Sequence, residues 1–249
     1  MKLASLRDGS PEGRLVVVSG DLTRASDARH VAPSLRAALD DWERAGRELA
    51  LIARGIEVGV QPVERFHERE ALAPLPAALP VGAPSPRDAF ADPRGRRAPI
   101  SAATERLRAS IALVTGAVAA APDRDTARAA VRLVMLAAGI GGDAVALSPV
   151  AATPDDFDDA APARLRVLLD GALAAEGAAD IDLAALVAAA ARAAPIPSGA
   201  ILLADPLAFA GAIDIGPRVS LTVEMRDPRG RSIFGAIERR PEIEASDAR

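Results

Sequence analysis

Seven of the chain's 20 prolines fall between Pro74 and Pro99, in PLPAALPVGAPSPRDAFADPRGRRAP. Proline fixes φ and has no N–H to donate, so a stretch this dense can be neither a helix interior nor a central strand. The chain is thereby divided into residues 1–73, an irregular connection over 74–99, and residues 100–249. A length of 249 residues suffices for one large domain or two unequal ones.

Either side of that connection the patterning is mixed. Lys2–Leu6 and Arg14–Ser19 are short β-type runs around Asp8-Gly9-Ser10-Pro11-Glu12-Gly13, a strand–turn–strand signature. Leu35, Leu39, Trp42, Leu49, Ile52 and Ile56 recur at helical steps, which predicts one helix over Ser34–Ile56. Ser34 is its N-cap, Gly55 or Gly59 its stop, and Leu39, Trp42 and Leu49 its buried residues. Ala109–Val114 is an apolar β-run, and Asp123–Arg132 is helical before the apolar Leu133–Ala138. Arg164–Leu169 runs into the hairpin pair Asp170-Gly171. Asp182 caps a helix with Leu183, Leu186, Val187 and Ala190 on one face. Pro197-Ser198-Gly199 turns into the strand Ala200–Leu203. Val219, Leu221, Val223 and Met225 alternate with Ser220, Thr222 and Glu224, a half-buried strand, and Asp227–Gly230 turns the chain back into Ser232–Glu238. The class is α+β with more strand than helix.

Composition narrows the chemistry. Aromatics are 2%, with one Trp and no Tyr, so the core is built from Ala, Leu, Val and Ile; the high Ala share suggests a GC-rich bacterial gene. A net charge of −4 gives no argument for nucleic acid or an anionic membrane. Absence of Cys excludes disulfides, thiolate catalysis and thiolate metal sites. No apolar run reaches the ~20 residues that span a bilayer, and the start MKLASLRDG lacks an apolar signal core, so a cytoplasmic protein is expected.

RLRASIALVTG (Arg106–Gly116) and RDPRGRSIFGAIE (Arg226–Glu238) resemble the fumarylacetoacetate hydrolase superfamily, whose members act on small keto and diketo acids. RLVMLAAGI (132–140), SPVAATPDDF (148–157), RLRVLLDG (164–171) and PIPSGAILL (195–203) resemble successive scaffold segments in the same order. MKLASLRDGSPEGRLVVVS and TRASDARHVAPSLRAALDDW are similar to the small N-terminal domain of bacterial members. The resemblance implies a mixed β-roll (residues 100–249) with a small N-terminal α/β domain (1–73), and a dimer built through the catalytic domain.

The resemblance also locates departures. The family's strand before V-T-G carries two metal-binding glutamates; the aligned positions here are Arg108 and Ser110. After R-L-V-M-L the family has Asn-Asp, with Asp as a ligand; here Ala138 and Gly139 stand there. The segment that supplies a further carboxylate and a catalytic histidine has become the proline-rich connection, which lacks His over Leu75–Pro99. The substrate-binding lysine is missing between Gly142 and Ser148, and the only Lys in the chain is Lys2. A magnesium or calcium site needs several converging oxygens, and Arg108 would repel a dication by several kcal/mol at short range. The family's metal is therefore expected to be absent, and with it the Lewis acid; without the histidine there is no general base.

Other candidates have plainer readings. Thr153-Pro154-Asp155-Asp156 is a helix start in preference to a calcium loop. His67-Glu68-Arg69-Glu70 is an exposed salt-bridging turn, and His30 is a surface residue. Gly139-Ile140-Gly141-Gly142 lacks a dinucleotide fingerprint and is a tight turn. With two His in the chain, Ser110 and Ser198 make no serine triad. Arg94-Gly95-Arg96-Arg97 is a solvated loop or an anion holder. Two functions follow from the resemblance. One is a catalytically inactive structural or regulatory subunit, a homodimer or a heterodimer with an active paralogue. The other is a metal-independent enzyme on a small keto or diketo acid, with Arg108 and Ser110 as substrate- or anion-binding groups.

Overall fold

The computed structural model describes residues 1–76, 105–140, 144–159, 162–179, 181–204, 213–216 and 218–240. Most of the proline-rich connection, with Arg94–Arg97 and Gly141-Gly142, lies outside the described residues. Among the described residues the architecture is β-rich, 40% strand and 23% helix, and every described pairing is antiparallel.

β1 (Lys2–Leu6), β2 (Arg14–Val18), β3 (Arg24–Asp27) and β4 (Glu64–Arg65) form a meander. After the connection come β5 (Glu105–Thr115), α3 (Arg124–Ala130), β6 (Val131–Ile140), β7 (Ala144–Leu147) and β8 (Ala151–Ala152). The meander does not stand apart from these strands: β1 pairs with β8, Lys2 opposite Ala152 and Leu3 opposite Ala151. One ten-stranded sheet results, in the order β11-β5-β6-β8-β1-β2-β3-β4, where β11 is Ala200–Leu203; β12 (Ile213–Ile215) pairs with β5, and β7 with β6. A second sheet of four strands follows β10-β9-β13-β14, comprising Ala172–Ala178, Arg164–Leu169, Leu221–Arg226 and Ser232–Arg239. The hairpin between β9 and β10 turns at Asp170 (φ 48°) and Gly171 (φ 80°), the left-handed pair that a two-residue turn needs.

Strand alternation sorts the large sheet into two buried faces. On one side Leu3, Leu15, Val17, Ala112, Val114, Leu133 and Met135 pack beneath α1 (Leu35–Asp40) and α2 (Trp42–Glu57). On the other, Ile111, Leu113, Val134 and Leu136 meet the small sheet's Leu165, Val167, Val223 and Phe234, with α5 (Leu183–Ala190) closing the edge. Burying one Leu of this kind contributes ~1.5–3 kcal/mol.

Four local expectations need correction. The single helix over Ser34–Ile56 is two, broken at Asp41 (φ −131°, ψ 53°). Ser34 caps the first, accepting from the Ala37 N–H, and Asp41 binds the Arg44 Nε at 2.7 Å instead of continuing the turn. The break changes the phase, so Ala45, not Trp42, is buried; Trp42 is half-buried and its ring lies along Gly46, where a Cβ would meet it at 3.3 Å. Leu39 and Leu49 are buried as expected. On α5, Ala184 is buried while Ala190 is exposed and Leu186 half-buried. The strand expected from Val219 begins at Leu221, and its Glu224 is only 7% exposed, because Arg166 and Arg226 clamp the carboxylate at 2.9 and 2.8 Å. Finally, Glu68 lies in a 3-10 turn (Glu68–Glu70) but is no solvated turn residue. Its Oε2 accepts from the Ala236 N–H, tying the N-terminal region to β14. Gly235 (φ 77°) makes this approach feasible: a Cβ there would stand 2.5 Å from Pro149 and 3.0 Å from the Glu68 carboxyl.

Candidate functional site

β5 is the element that positions the site. Leu107, Ala109, Ile111 and Leu113 point into the core shared with the small sheet. Ala112 and Val114 point into the core beneath the helices. By alternation, Arg106, Arg108 and Ser110 share the face of Ala112 and Val114. Cross-strand pairing sets Arg108 opposite Gly139 and Ser110 opposite Ala137. The three positions singled out in the sequence, Arg108, Ser110 and Gly139, are thus brought together on one face at one end of the sheet. Arg108 is exposed, with no hydrogen-bond or ion-pair partner among the described residues. Ser110 is 8% exposed, and its Oγ donates to the Ala204 carbonyl at 2.6 Å. The Ala204 N–H in turn donates to the Ile111 carbonyl at 2.8 Å, which folds the end of β11 over the serine.

These residues do not fit a divalent cation. A hard cation takes several oxygens, mostly carboxylates. The positions offer a guanidinium, a hydroxyl already engaged with a carbonyl, and a glycine without a side chain. Among the described residues, no three or more His, Asp or Glu side chains are grouped to hold a metal. What the face can do chemically is attract an anion.

Sequence reasoning missed two residues here. Arg106 lies on the same face, largely exposed, with its Nε 3.8 Å from Asp214 of β12. The alternation Arg106-Leu107-Arg108 could have shown the first; Asp214 is more than a hundred residues away, and no local signal announces it.

Other candidates resolve as structure. His30 and His67 are exposed. Thr153 begins α4 (Pro154–Asp159): its carbonyl accepts from the Phe157 N–H, and its hydroxyl accepts from the Met1 ammonium at 2.7 Å. Lys2 is buried and donates to the Gly20 carbonyl at 2.9 Å; burial lowers its pKa, with Asp156 opposing. A charged recess of about 480 Å³ lies between α3 and α5. Arg124 pairs there with Asp182 at 2.6 Å and Arg128 with Asp158. The Asp182 carboxyl is held below its ordinary value first by the Ala185 N–H it accepts as helix cap, then by Arg124.

Among the described residues, no helix is long and apolar enough to cross a membrane. Residues 1–77 match the family model described as Fumarylacetoacetase N-terminal domain 2. No curated protein matches the chain. Solved structures resemble it over nearly its whole length. Maleylpyruvate hydrolase from Sphingobium sp. SYK-6, crystallised with manganese(II) and pyruvate, has a TM-score of 0.70 at 16% identity, covering 96% of this chain and 99% of its own. A fumarylacetoacetate hydrolase from Exiguobacterium antarcticum has a TM-score of 0.66 at 15% identity, covering 97% and 99%. A 5-carboxymethyl-2-hydroxymuconate delta-isomerase from Mycobacterium smegmatis has a TM-score of 0.59 at 13% identity, covering 96% and 98%. At these identities the structures speak for the fold, and the family model speaks for the first 77 residues. The first 77 residues thus match the fumarylacetoacetase N-terminal domain, and the chain as a whole shares the fold of these fumarylacetoacetate hydrolase family structures.

Proposed function

We propose that this chain keeps the superfamily's scaffold without its metal-dependent chemistry and works as a structural or regulatory subunit. It would act as a homodimer or paired with an active paralogue. The observation that carries this reading is the donor set at the sheet's end: Arg108, Ser110 and Gly139 occupy one face where a cation would require carboxylates. Packing supports it too, since the strands that build the frame have fully buried apolar cores, with Ile111, Leu113, Leu133 and Leu136 all at 0% exposure. The partner assignment rests on analogy with the family. Co-purification from the native host, with calorimetry against manganese and magnesium, tests it. A paralogue or a second copy should co-elute, and neither metal should give heat above dilution. Micromolar metal binding lost in Arg108 or Ser110 variants would overturn it.

A second reading has its own support. Arg108 presents an exposed guanidinium with no partner among the described residues, and the whole-length structural relatives are hydrolases and isomerases. In this reading the chain is a family enzyme acting on a small keto or diketo acid without metal, with Arg108 holding the substrate's carboxylate. The comparisons lean toward this reading; the donor set leans toward the first. Turnover of acylpyruvate-type acids in the presence of a chelator, lost in Arg108→Gln, would decide for the enzyme.

A further inference from the structure

α2 turns Ala45, Leu49, Ile52 and Ile56 into the core. The opposite side of the helix carries Arg47, Leu51, Arg54 and Val58, all exposed, with Leu51 at 65% and Val58 at 72%. Steps of four, three and four residues keep them in one stripe along the helix. Val58 still belongs to it, because the cap residue is helical (φ −89°, ψ 0°). Arg47 and Arg54 have no hydrogen-bond or ion-pair partner among the described residues. The neighbouring acids are engaged: Glu48 pairs with Arg44 at 3.1 Å, and Glu57 accepts from the Gly20 N–H at 2.8 Å. Beyond the helix, cross-strand pairing sets Arg65 of β4 opposite Arg24, whose guanidinium donates to the Ile56 carbonyl at 3.2 Å. Arg65 therefore takes the α2 side of the sheet, exposed and without a partner among the described residues, and by alternation the exposed Val63 shares its face.

We propose that this stripe is a docking surface for an acidic amphipathic helix of a partner protein, packed along α2 as in a coiled coil. Three- and four-residue spacing is what a second helix needs to seat its own apolar residues on Leu51 and Val58. Charge decides the partner's kind. The two cations alternate with the two aliphatics, so a matching helix sets carboxylates against Arg47 and Arg54 and aliphatics against Leu51 and Val58. A second copy of this chain supplies no carboxylates along the same stripe to meet the arginines. A flat anionic membrane offers only negative charge, yet the Glu43 carboxylate, 84% exposed, stands one turn before Arg47; a partner helix can carry a cation there. The surface is separate from the open end of β5 and independent of either reading given above for it.

The test uses the full chain and a synthetic helix of about three heptads, with Leu and Glu at alternate three- and four-residue steps; its own carboxylates keep it from self-association. The same peptide with Lys in place of Glu is the control. Fluorescence anisotropy of the labelled peptides is read at low ionic strength, where exposed ion pairs are least screened. The Glu peptide should bind about tenfold tighter than the Lys peptide, two attractive pairs against two repulsive ones. Arg47→Glu with Arg54→Glu should invert that preference. Arg47→Gln with Arg54→Gln, which sets no acid near the helix C-terminus, should make the two peptides equal. Leu51→Ser should weaken the Glu peptide by about threefold or more. Absence of Glu-peptide binding, equal binding of both peptides by the parent, or a preference unmoved by the arginine variants overturns the proposal. So does sedimentation with phosphatidylglycerol vesicles, or dimerisation of the free chain, that Leu51→Ser abolishes, since these give the stripe to a membrane or to a second copy. All three side chains are exposed, so circular dichroism of the variants should match the parent.

Discussion

The two ends of β5 differ more than its sequence suggests. From Ile111 to Val114 every residue is 0% exposed, sandwiched between the helices on one side and the small sheet on the other. From Arg106 to Ala109 only the Leu107 and Ala109 side remains packed, while the opposite side carries Arg106 and Arg108 in the open. One strand thus has a two-sided scaffold half and a one-sided half, and Arg106 and Arg108 lie on the open face of the second. A residue packed on both sides answers to neighbours in two layers, so a change there meets resistance from both. A residue on the open face answers only to what it binds.

That contrast can be broken by mutation. Leu113→Ala should cost about 2–5 kcal/mol in urea unfolding, because the cavity lies between two layers that cannot both collapse; a cost under about 1 kcal/mol would mean that the scaffold half is no more constrained than the other. Ser110 stands at the boundary. Its replacement by Ala leaves the Ala204 carbonyl without its hydroxyl donor and should cost about 1–2 kcal/mol. Arg108→Gln, at the open end, should change the unfolding midpoint by no more than about 0.5 kcal/mol in equivalent free energy. A large loss there would show that the guanidinium has a structural partner and would remove it from the ligand-binding argument.

What the sequence made legible follows a physical line. Features set by local backbone chemistry were readable: the Asp170-Gly171 turn, the Ser34 cap, the alternation that puts Arg108 and Ser110 on one face. Features set by distant partners were not. The Glu68 bond to Ala236 joins residues 168 positions apart, and the Ser110 bond to Ala204 joins residues 94 apart. Glu224 follows the period-two pattern faithfully, yet it is buried, because two arginines from its surroundings close over it. Periodicity states which face a side chain takes; it says nothing about what arrives to cover that face. The helix break at Asp41 belongs to a third kind, in which apolar spacing fits a continuous helix while an acidic side chain makes a better local bond with Arg44.

The pairing of β1 with β8 has a consequence for how the molecule comes into being. During synthesis the first strand leaves the ribosome about 150 residues before its partner at Ala151–Ala152, a wait of about 10–30 s at ordinary elongation rates. Through that interval one edge of the hairpin offers unpaired amides and carbonyls to any passing strand. The loop that must close is long, so its entropy is committed late and the contact order is high. Refolding of the purified chain should accordingly be slow, and nascent chains halted before residue 150 are where association with chaperones, or with other copies, will be greatest.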